Sequence, residues 1–274
     1  MKKLVVALLA MKGCSTRRDK NKEAVKVMPE NIFRGKRVAE KSAGNDSYNS
    51  STKFTYDKDG HLVLVKSFYK GELRYEDILT YDNNKLTVIK KNRGEIVYET
   101  TYLINKKGFV EFGVEFYYEE DQGITTKYTT NYEFKYTADG YLSEVKEVEY
   151  AGTAGESINI IKYLYSASNL ISRSEFYNGE KTMDNIYTVG TVINKDGAIY
   201  TGDFECILFY AGVLGKTSKN LIIKEYCSDY YSASPAIFSD YYDYELDKEG
   251  YVLKVKTKKE TNDEWNVRDT YTYS

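Results

Sequence analysis

The chain has 274 residues, with 39 basic and 41 acidic side chains and a formal net charge of −2, a balance that excludes the basic field of a dedicated nucleic-acid binder. Tyrosine supplies 29 residues against 11 phenylalanines and one tryptophan, and only two prolines, Pro29 and Pro235, remove backbone donors. Such a composition suits pleated, half-buried surfaces and excludes disordered and collagen-like classes.

The first fourteen residues read MKKLVVALLAMKGC. Lys2 and Lys3 make a positive start, Leu4 to Met11 an apolar run, and Gly13-Cys14 a small-residue end. The run is too short to span a bilayer and has the grammar of a secretory signal. A cysteine placed so resembles the bacterial lipoprotein signal, departing from it at Lys12, where a small or aliphatic residue is usual. The resemblance implies cleavage after residues 1–13, a lipid on Cys14, and membrane attachment through that lipid. Residues 14–30 are polar and aperiodic, a flexible tether, which leaves 31–274 as the folded domain. Surface-exported lipoproteins often carry an acidic run after the cysteine. The tether lacks one, which favours a periplasm-facing outer-membrane anchor over the cell surface.

Turn signals then recur at Gly60, Asn84-Lys85, Gly108, Gly140, Asn169, Gly197, Asn220 and Gly250, at intervals of about 23 to 32 residues, the scale of internal repeats. A second set, Gly71, Gly94, Gly123, Gly155 and Gly179, falls between them and predicts a strand between neighbours. Residues 124–137 put Ile124, Thr126, Tyr128, Thr130, Tyr132, Phe134 and Tyr136 on one face, the period of two that marks a strand. The segment 95–104 groups Ile96, Tyr98, Tyr102 and Ile104, and 251–259 sets Tyr251, Leu253 and Val255 opposite Lys254, Lys256 and Lys258. Those lysines belong to a solvated outer face.

The YDKDGHL stretch from Tyr56 to Leu62 has the look of a calcium loop. Its spacing fails, because Phe68 stands where an EF-hand needs its twelfth-position glutamate. The backbone reading is a type I turn closed by a left-handed residue, glycine or asparagine, with a preceding aspartate bracing it. No metal or cofactor is expected. The pattern Tyr56-Asp57-x-x-Gly60-x-Leu62 resembles the tyrosine–aspartate (RHS-type) repeat, with Thr137 replacing aspartate in the copy at 136–142. The arginine usual after the glycine is absent, its place taken by His61, Tyr141, Ala198 and Tyr251. A short array of this kind behind a lipoprotein signal resembles the uncharacterised hairpin-repeat lipoproteins of Bacteroidota.

Chemistry is sparse. The one histidine, His61, follows a turn glycine, and no nucleophile elbow, phosphate loop or paired-cysteine motif occurs. No catalytic residue is assigned. Cys206 and Cys227 flank a candidate turn at Gly215–Asn220, so antiparallel strands would bring them together as a disulfide in an exported compartment; two buried thiols are the alternative. Residues 228–240 break the rhythm as a long loop whose Tyr230, Tyr231 and Phe238 are candidates to stack on a ligand.

The sequence therefore predicts an all-β antiparallel meander of repeated hairpins, about sixteen to eighteen strands in a large twisted or rolled sheet. The functional expectation is a non-enzymatic, lipid-anchored envelope protein that binds a glycan, peptide or envelope partner. Two alternatives stand beside it. One is a carbohydrate-active hydrolase using a carboxylate pair. The other is an outer-membrane β-barrel, opposed by residues 141–150, where Glu147 and Glu149 share one face while Glu144 and Lys146 share the other.

Overall fold

The computed structural model describes residues 35–43, 50–121, 124–199, 206–231, 236–261 and 264–274. The expected signal peptide, Cys14 and the tether lie outside the described residues. Among the described residues the first eight strands are β1 (Val38–Ala43), β2 (Ser50–Tyr56), β3 (Leu62–Tyr69), β4 (Glu72–Asp82), β5 (Lys85–Asn92), β6 (Glu95–Ile104), β7 (Val110–Asp121) and β8 (Ile124–Tyr136). The second eight are β9 (Leu142–Glu149), β10 (Ser157–Ser166), β11 (Asn169–Tyr177), β12 (Glu180–Ile193), β13 (Asn220–Asp229), β14 (Ala236–Leu246), β15 (Val252–Lys259) and β16 (Asn266–Tyr273). Each strand pairs antiparallel with its chain neighbours, and β1 also pairs with β16.

The meander is thus a closed barrel of sixteen strands, which corrects the twisted or rolled sheet to a closed one. An open sheet of this size leaves two unpaired edges and one wet apolar face. Pairing from Val38↔Tyr273 to Ala43↔Asp269 removes both edges. The seam is extended by Arg37 and Ser274, which exchange N–H···O bonds of 3.3 and 2.9 Å.

The turns obey backbone handedness. Gly60, Gly140 and Gly250 adopt φ of +87°, +88° and +92°. Asp57 Oδ1 accepts the N–H groups of Asp59 and His61, each at 2.9 Å, and Asp247 Oδ1 does the same for Glu249 and Tyr251 at 2.8 and 2.9 Å. At the other end, Lys70-Gly71, Arg93-Gly94 and Asn178-Gly179 each place two successive residues at positive φ, the two-residue hairpin geometry whose twist matches the strands. The asparagine turns differ from expectation: Asn83 rather than Asn84 is left-handed, and Ala167 and Ser168 rather than Asn169. Asn169 instead uses its side chain, accepting the Asn220 N–H at 2.7 Å. Gly152 replaces Gly155 as the left-handed glycine, and Gly123 lies outside the described residues.

Register shifts accompany the turns, for example at Thr55/Tyr56, Lys135/Tyr136 and Glu245/Leu246. Each bulge inserts one unpaired residue and inverts the alternation beyond it. For that reason Leu253 is 39% exposed while Val252 and Val255 are buried, and Ile96 is 47% exposed, outside the face it was expected to share. Tyrosines at strand ends then latch neighbouring strands from inside. The hydroxyls of Tyr56, Tyr81, Tyr244 and Tyr273 donate to the carbonyls of Val38, Leu62, Ile222 and Val252 at 3.2, 3.1, 2.5 and 2.7 Å.

The segment between β12 and β13 is a cap, not the hairpin expected around Gly215. A 3₁₀ turn (Lys195–Gly197) and a short helix α1 (Cys206–Tyr210) lead into it. Val213 O accepts from Val110, Lys216 N–H donates to Gly140 O, and Lys219 N–H donates to Ser168 O, each at 2.9 Å. The cap is thereby tied to the turns that follow β6, β8 and β10. Leu208, Phe209, Tyr210, Val213 and Leu214 are buried against Leu62, Leu86, Leu142, Leu170 and Val252 of the barrel wall. One end of the lumen is therefore filled by apolar side chains. The opposite end is the mouth.

Gly140→Val should destabilise the barrel by about 1–2 kcal/mol through left-handed strain. Its Cβ would also stand 3.1 Å from the Phe109 ring, whereas nothing lies within 4 Å at Gly250. Gly140→Val should therefore cost more than Gly250→Val, with Gly140→Asn the mildest. Urea midpoints rank the three, and a harmless valine at Gly140 removes the turn assignment.

Candidate ligand-binding mouth

Above the cap the inner wall changes from leucine and valine to tyrosine and charge. Strands β4 to β10 supply one side of it. Their alternation sends Tyr98, Thr100 and Tyr102 inward from β6, Glu115 and Tyr117 from β7, Tyr128 and Tyr132 from β8, and Glu147 and Glu149 from β9. Gly113 makes this packing feasible, because a Cβ there would fall 2.7 Å from the Tyr102 ring. Tyr98 stacks on Tyr117 at 5.1 Å between centroids, Tyr117 on Tyr128 at 6.2 Å, and Tyr150 meets Tyr128 edge-on at 5.2 Å. The result is a run of aromatic rings crossing three neighbouring strands and reaching the turn after β9.

Beneath the rings lie carboxylates. Glu115 accepts from Thr100 Oγ1 at 3.0 Å and from the Tyr132 hydroxyl at 3.3 Å. Glu147 accepts from Asn159 at 3.5 Å, and Glu149 from Ser157 at 2.9 Å. Burial pushes the Glu115 carboxyl above the usual range, against the hydrogen bonds of Thr100 and Tyr132 and the Lys90 charge. Burial raises Glu147 as well, helped by the negative charges of Glu149 and Glu115. Lys90 stands over the rings of Tyr75 and Tyr98 at 5.5 and 5.7 Å, so this wall already holds one cation against its π faces.

The other side of the lumen carries several groups of paired polar side chains. Arg173 pairs with Glu175 at 2.8 Å, Asn185 and the Tyr242 hydroxyl both donate to Glu225, the latter at 2.6 Å, and Asp269 holds Lys41 and Arg268 at 3.3 and 2.9 Å. Hydrogen bonding of this kind is what makes buried ionisable groups tolerable.

The barrel exterior is charged too. Lys66–Glu76, Lys135–Glu144, Lys181–Asp184, Lys254–Glu245 and Lys256–Glu245 are ion pairs of 3.2, 2.6, 2.8, 2.9 and 2.6 Å. They sit on the outward face at four separate places around the wall. Glu144 and Lys146 face out while Glu147 and Glu149 face in, the split expected from the sequence.

Tyr230, Tyr231 and Phe238 all lie at the mouth and are exposed, but the predicted loop is shorter than 228–240, because β13 runs to Asp229 and β14 starts at Ala236. Cys227 is buried on β13, its Sγ 3.9 Å from Asn185 Oδ1. Cys206 opens α1 rather than a facing strand, and its side chain lies outside the described residues. Ligand atoms of Asp57, Asp59 and His61 come within 4.8 Å of one another, though Asp57 Oδ1 is committed to the turn. His61 is less exposed than a turn histidine would be, with its ring 5.4 Å from Tyr81. The sequence reading missed Glu115 and the tyrosine run as a site. The inward alternation of 124–137 carried half of that signal; the neighbouring strands supplied the rest.

No family model and no curated protein matches the chain. Among solved structures it is similar to a porin-like protein from Bacteroides uniformis, with a TM-score of 0.64 and 18% identity over 86% of this chain and 98% of that one. A porin-like protein from Bacteroides vulgatus gives a TM-score of 0.62 and 12% identity over 88% and 99%. These likenesses concern the fold.

The raised carboxyls set a pH dependence. A glutamate that holds its proton to higher pH in the fold contributes stability fully present below its unfolded value, and that contribution is lost as pH rises through the folded one. Glu147→Gln should therefore raise the melting temperature at neutral pH and leave it unchanged in acid. Parallel melting curves for wild type and variant across the carboxylate range would remove the burial argument.

Proposed function

We propose that this chain is a water-facing barrel of the cell envelope, held to the membrane by a lipid on Cys14, that binds ligand at its mouth without chemical turnover. The observation that carries the reading is the run of Tyr98, Tyr117, Tyr128 and Tyr150 above Glu115 and Glu147. Stacked rings offer flat apolar faces, and the carboxylates offer acceptors, a pairing that suits a glycan or a peptide bearing donors. The mouth is open to such a ligand because the cap occupies the other end. Non-enzymatic binding is preferred to hydrolysis because the carboxylates are held by Thr100, Tyr132, Asn159 and Ser157 within the wall. A glycan array and a peptide panel, run beside a hydrolysis screen, test it. Tyr117→Ala should weaken any ligand found by about tenfold, the scale of one lost stacking contact. Unchanged affinity, or turnover abolished by Glu115→Gln, overturns the reading.

A transmembrane barrel is the second reading, supported by closure of the sheet and by the porin-like neighbours. The exterior ion pairs oppose it, since lipid-facing positions should be free of charge. A Cys14→Ser chain should remain monodisperse without detergent. Aggregation relieved only by detergent would favour the transmembrane reading instead.

A further inference from the structure

The tyrosine wall already seats one ammonium. Lys90 of β5 is in register with Asp77 of β4. Its Nζ lies 5.5 and 5.7 Å from the ring centres of Tyr75 and Tyr98 and 3.9 Å from Asp77 Oδ1. Rings and a carboxylate together hold it. Further round, the wall repeats the arrangement without the cation. Tyr128 of β8 and Tyr150, in the turn after β9, meet at 5.2 Å with their planes 85° apart. They form two sides of a corner, and Tyr150 is exposed. Glu147 is in register with Tyr132 of β8, and Glu149 follows on the same face, nearer the mouth. Among the described residues the partners of these two carboxylates are neutral: Ser157 for Glu149, Asn159 and the Tyr132 hydroxyl for Glu147. Asn159 donates to Glu147 through Nδ2 and leaves its Oδ1 buried without a partner. An acceptor so placed is one that a ligand N–H would satisfy. Burial and the Glu149 charge both push the Glu147 carboxyl up, a cost that an arriving cation would relieve.

We infer that this corner is a second ammonium seat, filled by a lysine side chain of a bound peptide, with Tyr128 and Tyr150 as its walls and Glu147 and Glu149 as its counter-charges. The inference rests on the mouth being where ligand binds, and it narrows that ligand to a lysine-bearing peptide. A lysine suits the seat on three counts. Its methylene stem packs on ring faces while its charged head stays with polar groups, and the ammonium is attracted to the π faces. Its head carries three donors, matched by the two carboxylates and the unpartnered Asn159 carbonyl. It is also the side chain that the wall already accepts at Lys90.

Titration of the full chain with a short glycine peptide carrying a central lysine, its termini blocked, tests it beside the Nε-acetylated twin. Binding of the unmodified peptide should saturate and weaken with added salt. Acetylation should weaken it by about tenfold or more, the scale of lost charge-assisted bonds. The Glu147→Gln/Glu149→Gln variant should lose as much, because the amides keep the shape and remove the charge. Tyr150→Leu, at an exposed turn, should also weaken binding and serves if the double variant fails to fold. Glu144→Gln on the outer face should bind as the wild type does. Absence of saturation, equal affinity for the two peptides, or an equal loss in Glu144→Gln overturns the seat. A neutral ligand that Tyr117→Ala weakens and the double variant does not would keep the binding mouth and overturn the lysine seat alone.

Discussion

A row of unpaired backbone donors and acceptors cannot be left along the edge of a sheet without consequence, and the pairing of β1 with β16 is how this chain disposes of it. Once that seam is closed, every strand has two neighbours and one face turned to the inside. The inner face then has to be filled. At one end the filler is the cap, whose Leu208, Phe209 and Val213 meet the wall leucines. Strand-end tyrosines complete that end by spending their hydroxyls on neighbouring carbonyls. Ring and hydroxyl serve packing and pairing at once, which is the physical reason tyrosine outnumbers phenylalanine here.

At the mouth the same wall is filled with groups that are costly to bury. Apolar side chains of equal volume would do as well for stability, since a buried ion pair scarcely repays its desolvation. Glu115, Glu147, Arg173 and Asp269 are therefore poor candidates for mere filler. Carboxyls pushed up by burial beside hydrogen-bond partners, as at Glu115 and Glu147, are one mark by which a functional site is sought. The filling divides along the barrel axis: the capped half is packed with apolar side chains, the mouth with tyrosines and ionisable ones.

Local rules were legible in the sequence. Gly60, Gly140 and Gly250 announced left-handed turns, and residues 124–136 announced an inward row of aromatics, because both depend only on nearest neighbours along the chain. Closure was not legible, because nothing local tells Val38 that its partner is Tyr273. Bulges hid the faces of Ile96 and Leu253 for a related reason: one extra residue reverses the parity on which alternation depends. The cap was hidden by its brevity, since a five-residue helix carries no period. The tyrosine wall was half visible, each strand showing its own ring but none showing the stack.

Closure alone does not decide what surrounds the barrel. The water-facing reading proposed above rests on the outside-facing charge. Lys66, Lys146 and Lys162 lie mid-strand on the outer wall. On a lipid face three such lysines would cost roughly 6–12 kcal/mol at about 2–4 each. That is comparable to the whole stability of a typical domain, about 5–15 kcal/mol. In water the same lysines cost nothing, and Lys66 gains Glu76 across the strands. Sheet closure is shared by barrels that meet lipid and barrels that meet solvent, and the outer alternation is the place where the two part. Here that alternation mixes ion-paired lysines and glutamates with exposed Phe112, Leu164, Ile186 and Ile223, and the water-facing reading proposed above rests on the charges among them.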